Sequence, residues 1–251
     1  MSARSPVKKR QAARPEEVVF APVRSQTAFE ETVDRLGTAI RLGLLAPGTR
    51  LPAERELCAR LGIARSTLRQ ALTALAQSGL LHAVRGRGGG TFVADPQPPT
   101  EPPSPELLAD WREVADNRLA VEVGIVMLAA ERASEAQIDH LDALVDAMYI
   151  QLDDYAGYRQ SDVLFHVGLA ECTGSQRLVA AMTQAQGEMT SLIQLISHPR
   201  EVLRSANQQH RRIVDALRHH DGPRAARTIA DQARATEHVL AGLLPGAARG
   251  A

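Results

Sequence analysis

Apolar residues recur along the chain at helical spacing in two blocks, and a short stretch between them has a different rhythm. Within 64–75, Leu68, Ala71, Leu72 and Leu75 stand at i, i+3, i+4 and i+7, which predicts a helix with one apolar stripe and with Ser66, Arg69, Gln70 and Thr73 turned away from it. A shorter helix precedes it, opened by Pro52 with Glu54 and Glu56 in its first turn and ended near Gly62. Residues 28–45 carry Phe29, Val33, Leu36 and Ile40 at the same spacing, predicting a helix that packs behind these two, and Ala46-Pro47-Gly48 turns the chain out of it. After Ser78-Gly79 come two strand-like runs, 80–84 and 91–93, joined by Arg85-Gly86-Arg87-Gly88-Gly89-Gly90. From Glu106 onward only helical periods follow, with candidate helices at 106–133, 135–154, 158–172, 176–197, 199–220 and 224–244. Ser134-x-x-Gln137 has the form of a capping box, and Thr173-Gly174-Ser175 and Asp221-Gly222-Pro223 are breakers.

Composition divides this pattern. Six prolines fall in the eleven residues 95–105, too many for a helix or a central strand, so an extended, semi-rigid linker is expected there. The expected organisation is a disordered basic segment at 1–22, a first domain at 23–95, a linker at 96–105, an all-helical domain at 106–244 and a flexible tail at 245–251. The fold class is mainly α: a winged helix-turn-helix of three helices and a β-hairpin, joined to an antiparallel helical bundle. Formal net charge is zero over the 251 residues, which alone argues against nucleic-acid binding. That average conceals a division, because residues 1–95 hold fifteen Lys and Arg against eight Asp and Glu, and the remainder fourteen against twenty-one. Only the first domain is therefore expected to meet phosphate.

Other classes drop out on composition. An apolar run of about 18 residues, as a membrane span needs, is missing, and so is a basic-then-apolar leader. Two cysteines, Cys58 and Cys172, are too few for a disulfide framework or a thiolate zinc site, so a reducing cytoplasm is expected. One Trp and four Phe leave no aromatic platform for single-stranded nucleic acid.

The first domain carries the chemistry of duplex recognition. Arg65 lies at the N-terminal end of its helix, the end that a recognition helix presents to base edges, and a guanidinium fork matches guanine O6 and N7. The glycine-rich tip lets backbone approach another molecule closely, while Arg85 and Arg87 supply charge for phosphates or a narrow minor groove. The run Leu51-Pro-Ala-Glu-Arg-Glu-Leu57, then Leu61-Gly-Ile-Ala-Arg-Ser-Thr-Leu-Arg-Gln-Ala-Leu72, Ser78-Gly-Leu80 and Gly88 to Val93 resembles the winged helix-turn-helix of GntR-type bacterial transcription regulators. The resemblance implies that Arg55, Arg65, Arg69 and the Gly86 to Gly88 region contact double-stranded DNA, with Thr67 a phosphate or base contact; Ser66 on the outer face of the helix and Arg85 and Arg87 of the wing are further candidate contacts. Ala64 departs from it, since the family usually has Ser or Thr there, and the lost helix cap costs on the order of 1 kcal/mol.

The second domain resembles the all-helical, FCD-type effector domain of the FadR-like branch of that family. The segments concerned are Arg118-Leu-Ala-Val-Glu122, Ala129-Ala-Glu-Arg132, Asp162-Val-Leu-Phe-His166 and His210-Arg-Arg-Ile-Val-Asp-Ala-Leu217. The resemblance implies an Asp and three His holding a divalent metal at the floor of a cavity, with an organic acid or related metabolite above it and Arg118 beside the ligand. Spacing supports part of this: Asp162 and His166 are four apart and share a helix face. If 221–223 is a tight turn, His210 lies about eleven residues before it and Gln232 about ten after, at one height. Gln232 therefore stands where the family has its third histidine. A Gln amide oxygen ligates hard cations but replaces imidazole poorly toward zinc or nickel. Two readings stay open: one divalent ion (zinc, nickel or manganese) on Asp162, His166 and His210, or a polar cavity in which these three satisfy one another. Arg118 likewise suits a ligand carboxylate or an ion pair with Glu122, and Asn207, one turn before His210, is a second candidate effector contact. His82, His140, His198, His219 and His220 are read as structural.

The functional expectation is a DNA-binding transcription regulator, a repressor, acting as a homodimer on an inverted repeat and answering to a small metabolite. The competing readings are a metal-dependent hydrolase tethered to DNA and a ligand-independent architectural DNA binder. Neither a nucleophile motif nor a phosphate loop favours the enzyme.

Overall fold

A computed structural model of the chain describes residues 27–86, 88–95, 102–196 and 198–244. The basic segment expected at 1–22, Arg87, most of the proline-rich linker and the tail at 245–251 lie outside the described residues. Helix α1 (Ala28–Arg41) opens on a complete capping box, with the Thr27 side chain accepting from the Glu30 amide and the Glu30 side chain accepting from the Thr27 amide. Helix α2 (Glu54–Leu61) ends at Gly62 in the left-handed region, φ 67°, where a glycine costs least. Helix α3 (Arg65–Gln77) starts at Ala64 without a side-chain cap and buries Leu68, Ala71, Leu72 and Leu75, the stripe predicted from spacing. Strands β1 (Leu81–Val84) and β2 (Gly90–Val93) pair antiparallel with Leu81 opposite Val93. The segment before α2 adds a third line of bonds to β2: Leu51 N donates to Thr91 O at 2.8 Å and Val93 N to Thr49 O at 2.9 Å. Leu36, Ile40, Leu57, Leu68, Leu75 and Val93 meet in one core that fixes helices and hairpin together.

The helical domain begins earlier than the proline count suggests. Ser104 caps α4 (Pro105–Ala109) through a bond from the Leu107 amide, and Pro105 fits the first helical turn, whose amides have no intrahelical partner. Asp110, at φ −100° and ψ 10°, then breaks what spacing predicts as one helix, and α5 runs Trp111–Arg132. There follow α6 (Glu135–Ile150), α7 (Tyr155–Cys172), α8 (Gln176–Ile193), α9 (Arg200–Arg218) and α10 (Gly222–Leu243). Helix α7 starts a turn before its expected position because the Asp154 side chain accepts from the Gly157 amide. Almost every residue of α7 from Tyr158 to Ala170 is at least partly buried, since α5, α6 and α8 all pack on it. This helix is the bundle's centre, and its polar residues are consequently enclosed. Among the described residues no helix is long and apolar enough to cross a membrane.

The two cores touch through α1. Leu42, just past its end, is buried in the helical domain's core, with Leu44 packed against the same cluster. One turn earlier, Thr38 lies against Gly187 of α8 so closely that a Cβ on the glycine would stand 2.7 Å from Thr38 Cγ2. Helix α1 thus packs on α3 of one domain and α8 of the other.

Candidate functional site

The reading face of the first domain follows from what its core buries. With Leu68, Ala71 and Leu72 turned inward, Arg65, Ser66 and Arg69 are exposed on α3 and Thr67 is half-buried. Arg55 is exposed on α2, and Arg85 and Gly88 are exposed at the hairpin tip. Arg69 is not free in solution: its Nε donates to Glu54 Oε2 at 2.8 Å, while the side chain stays 68% exposed. Gly86 and Gly88 hold φ of 96° and 85°, and a Cβ on Gly89 would lie 2.3 Å from the Val84 carbonyl, so the tip requires its glycines. Arg50 Nη2 donates to Gly89 O at 2.6 Å and braces the tip from behind.

In the second domain α7 and α9 bring Asp162, His166 and His210 together, with one ligand atom from each inside a 4.8 Å span. His210 Nε2 lies 3.3 Å and His166 Nε2 3.9 Å from the same carboxylate oxygen, Asp162 Oδ1. The other oxygen, Oδ2, accepts from Arg159. Gln232 Nε2 lies 2.7 Å from His210 Nε2, so α10 delivers Gln232 to the place its count from the turn predicts. Behind His166, Nδ1 stands 3.1 Å from Glu122 Oε1, turned off the line of a hydrogen bond; Glu122 also accepts from Arg118 Nε at 2.9 Å and Gln186 Nε2 at 2.8 Å. A carboxylate behind a histidine whose far nitrogen faces the cluster is the usual support of a metal-ligating imidazole.

Electrostatics favour the same ionisation states. Burial alone would raise the Asp162 pKa, but Arg159, His166, His210 and Arg118 outweigh it and hold the carboxyl at about 2. Glu122 is likewise held at about 2 against burial, by Arg118 and His166. Burial lowers His210 to about 4 in spite of Asp162, so the ring is neutral at neutral pH. Buried polar atoms without a hydrogen-bond partner gather here, among them Arg118 Nη1, Arg159 Nε, both ring nitrogens of His166 and Gln232 Oε1. An anionic oxygen and two imidazole nitrogens suit a divalent cation after slight closure, since two ligands of one zinc ion stand at most about 4.2 Å apart.

A cavity of about 410 Å³ opens above this cluster. Arg118, Arg159, Asp162 and Gln232 line it next to the cluster, Glu201, Ser205, Gln209 and Thr236 add further polar groups, and Ile193, Ile196, Val202, Leu203 and Val239 are among its apolar lining. Arg118 therefore makes the ion pair with Glu122 and lines the cavity as well. Asn207 is buried with Oδ1 unpartnered, and its neighbour Ala206 is among the residues that line the cavity. The His198 ring stacks on Tyr155, centroids 4.0 Å apart, its Nε2 lies 3.0 Å from Ile193 O, and both rings line the cavity. Sequence reasoning missed Arg159, although its position one turn before Asp162 was a usable signal. Its other bonds, to Gln186 Oε1 at 3.0 Å and Thr190 Oγ1 at 2.7 Å on α8, depend on helix packing that spacing does not reveal.

The sequence profile described as "Bacterial regulatory proteins, gntR family" matches residues 29–93, and that of the "FCD domain" matches residues 113–235. The chain is 34% identical over 166 residues to the HTH-type regulator RmpR of Mycobacterium gastri, a match covering 62% of this chain and 58% of that one. It is 32% identical over 233 residues to the HTH-type transcriptional repressor NanR of Citrobacter rodentium, covering 87% of this chain and 88% of the relative. Among solved structures, E. coli McbR/YncC shares the fold, with a TM-score of 0.55 at 19% identity over 87% of this chain and 99% of that one. The chain belongs to the GntR family of bacterial transcription regulators, in the branch with an FCD effector-binding domain, and so to regulators and not to enzymes.

Proposed function

We propose that the chain is a repressor that binds an inverted repeat as a cytoplasmic homodimer and is controlled by an organic acid bound in the α7–α10 cavity. Arg65 and Arg69 read bases, with Ser66 and Thr67 beside them, while Arg55, Arg85, Arg87 and Gly88 engage the backbone or wing side of the duplex. The observation carrying the effector half is the cavity of about 410 Å³ with Arg118 and Arg159 among its lining residues, guanidinium side chains of the kind that suit a carboxylate. Two-fold symmetry is expected because one recognition helix spans only a few base pairs. Asp162, His166 and His210 would hold a divalent ion, zinc, nickel or manganese, which would supply positive charge for the effector's acid group. The remaining polar contacts are the chain's own: Glu122 orients His166, Arg159 holds the outer oxygen of Asp162, and Gln232 borders His210.

Operator affinity measured by fluorescence anisotropy tests this reading. Arg69→Ala is expected to cost about 1–3 kcal/mol of discrimination between operator and random duplex. Arg55→Ala should weaken both duplexes alike and reduce the salt slope by about one. Equal losses on both duplexes for Arg69→Ala would remove its base-reading role, and an operator affinity that no carboxylic acid shifts would remove the effector role.

A further inference from the structure

Resting on the reading that the hairpin engages the duplex, we infer that Arg50 is a positioning residue for DNA binding, which holds the glycine-rich tip at one fixed angle to the reading helix. Arg50 lies in the segment that runs alongside β2, opposite Phe92, and its main chain is anchored on either side. Leu51 N donates to Thr91 O at 2.8 Å and Val93 N to Thr49 O at 2.9 Å. Leu51 turns into the core, so the alternation of an extended segment sends the Arg50 side chain to the other face, where it is exposed. From there Nη2 reaches the tip and donates to Gly89 O at 2.6 Å.

Two glycines fit themselves to this contact. Gly90, unlike Gly86 and Gly88, does not have a positive φ, yet a Cβ on it would stand 2.8 Å from Arg50 Nε. Its bareness therefore makes room for the guanidinium, whereas the backbone alone does not ask for it. Gly89 is held from both sides: its N donates to Gly86 O at 2.9 Å and its O accepts from Arg50. The rest of the tip has little to fix it. Four of the six residues 85–90 are glycines, which lose more backbone freedom on ordering than any other residue. A cleft of about 390 Å³ lined by Arg50, Glu54, Leu72, Gly90 and Thr91 lies where the hairpin faces α2 and α3, so packing is thin on this side. An unbraced tip samples many orientations, and only the fraction that already suits the duplex binds without a further ordering cost. The bond from Arg50 raises that fraction before DNA arrives.

The probe is the duplex that the full wild-type chain selects from a randomised pool, with affinity read by fluorescence anisotropy across a salt series. Arg50→Met keeps an unbranched stem and removes the donors; it should weaken binding about 2- to 12-fold, the worth of one hydrogen bond, and leave the salt slope unchanged. In the free protein, hydrogen exchange of peptides across 84–92 should quicken in this variant, while peptides of α1 and α3 exchange at the wild-type rate and so report an intact fold. On an Arg85→Ala/Arg87→Ala background the same change should cost less than twofold, because a tip without its arginines gains nothing from being held. A full loss on that background, or a salt slope lower by about one, would make Arg50 a phosphate contact in its own right and overturn the inference. Unchanged exchange at the tip would overturn it as well. If Arg85→Ala/Arg87→Ala binds as tightly as wild type, the wing reading falls and this inference with it, whereas a wing-dependent affinity that ignores Arg50→Met removes this inference alone.

Discussion

Gln232 and His210 share one short contact between nitrogens, and the orientation of that amide decides what the cluster can hold. With its NH2 toward the ring it caps the histidine's lone pair; turned over, it offers an oxygen that now lacks a partner. An imidazole at this position would end the ambiguity. Gln232→His should therefore tighten zinc binding in a calorimetric titration by more than the roughly 10- to 100-fold that outer-shell partners contribute, and unchanged affinity would mean that the fourth position is not part of the site. The two thiols give a second residue-scale expectation. Cys172 is buried and its thiol is pushed up to about 11 by burial, so at pH 8 only about one molecule in a thousand carries the reactive thiolate. Half-buried Cys58 should take up one equivalent of a thiol reagent in the native protein, and Cys172 the second only after denaturation; two equivalents in the native state would contradict this. At this scale legibility depended on distance along the chain. Asp162 and His166 on one face and His210 level with Gln232 could be read from spacing and a turn. Glu122 behind His166 comes from another helix and His198 under Tyr155 from a connecting segment, and pattern says nothing about which of them meet.

The element boundaries obeyed capping chemistry more closely than apolar periodicity. Ser104 and Asp154 each start a helix one or more residues before the apolar pattern does, and Asp110 interrupts a pattern that continues across it. Periodicity sees only the buried stripe, whereas a helix starts where its first amides find acceptors. The turn between α2 and α3 isolates the backbone part of this. Gly62 has φ 67° and nothing within 4 Å of the position a Cβ would take. Gly62→Ala should consequently cost about 1–2 kcal/mol from left-handed strain alone, measured by urea unfolding, with no change in the packing of Leu57 or Leu68. A loss well above that range would show that the turn has a tighter neighbour than the geometry indicates.

At the scale of the whole molecule, the division into a basic reading half and an acidic helical half was legible from charge and proline content, and each half does have its own core. The joint between them was not legible, because Leu42 and Leu44 continue the first helix's apolar pattern and nothing in that pattern says they belong to the other core. Their burial there makes the halves one cooperative unit. Leu42→Ala should cost about 2–5 kcal/mol, the usual range for a buried leucine, and calorimetry should record it as a downward shift of a single transition. Two separate transitions, with only one displaced, would show that the halves melt independently.

This joint also bears on how such proteins can be recombined. A reading head cut away in the proline-rich stretch carries two leucines with nothing to cover them, and the remaining helical body keeps a gap where they sat. A head transplanted onto a foreign sensor would need that sensor to offer both a greasy socket for Leu42 and Leu44 and a gap the size of a hydrogen atom opposite Thr38, where Gly187 now stands. Heads and sensors of this architecture should therefore be interchangeable only as matched pairs, and an unmatched chimera should fail by aggregation before any question of operator choice arises.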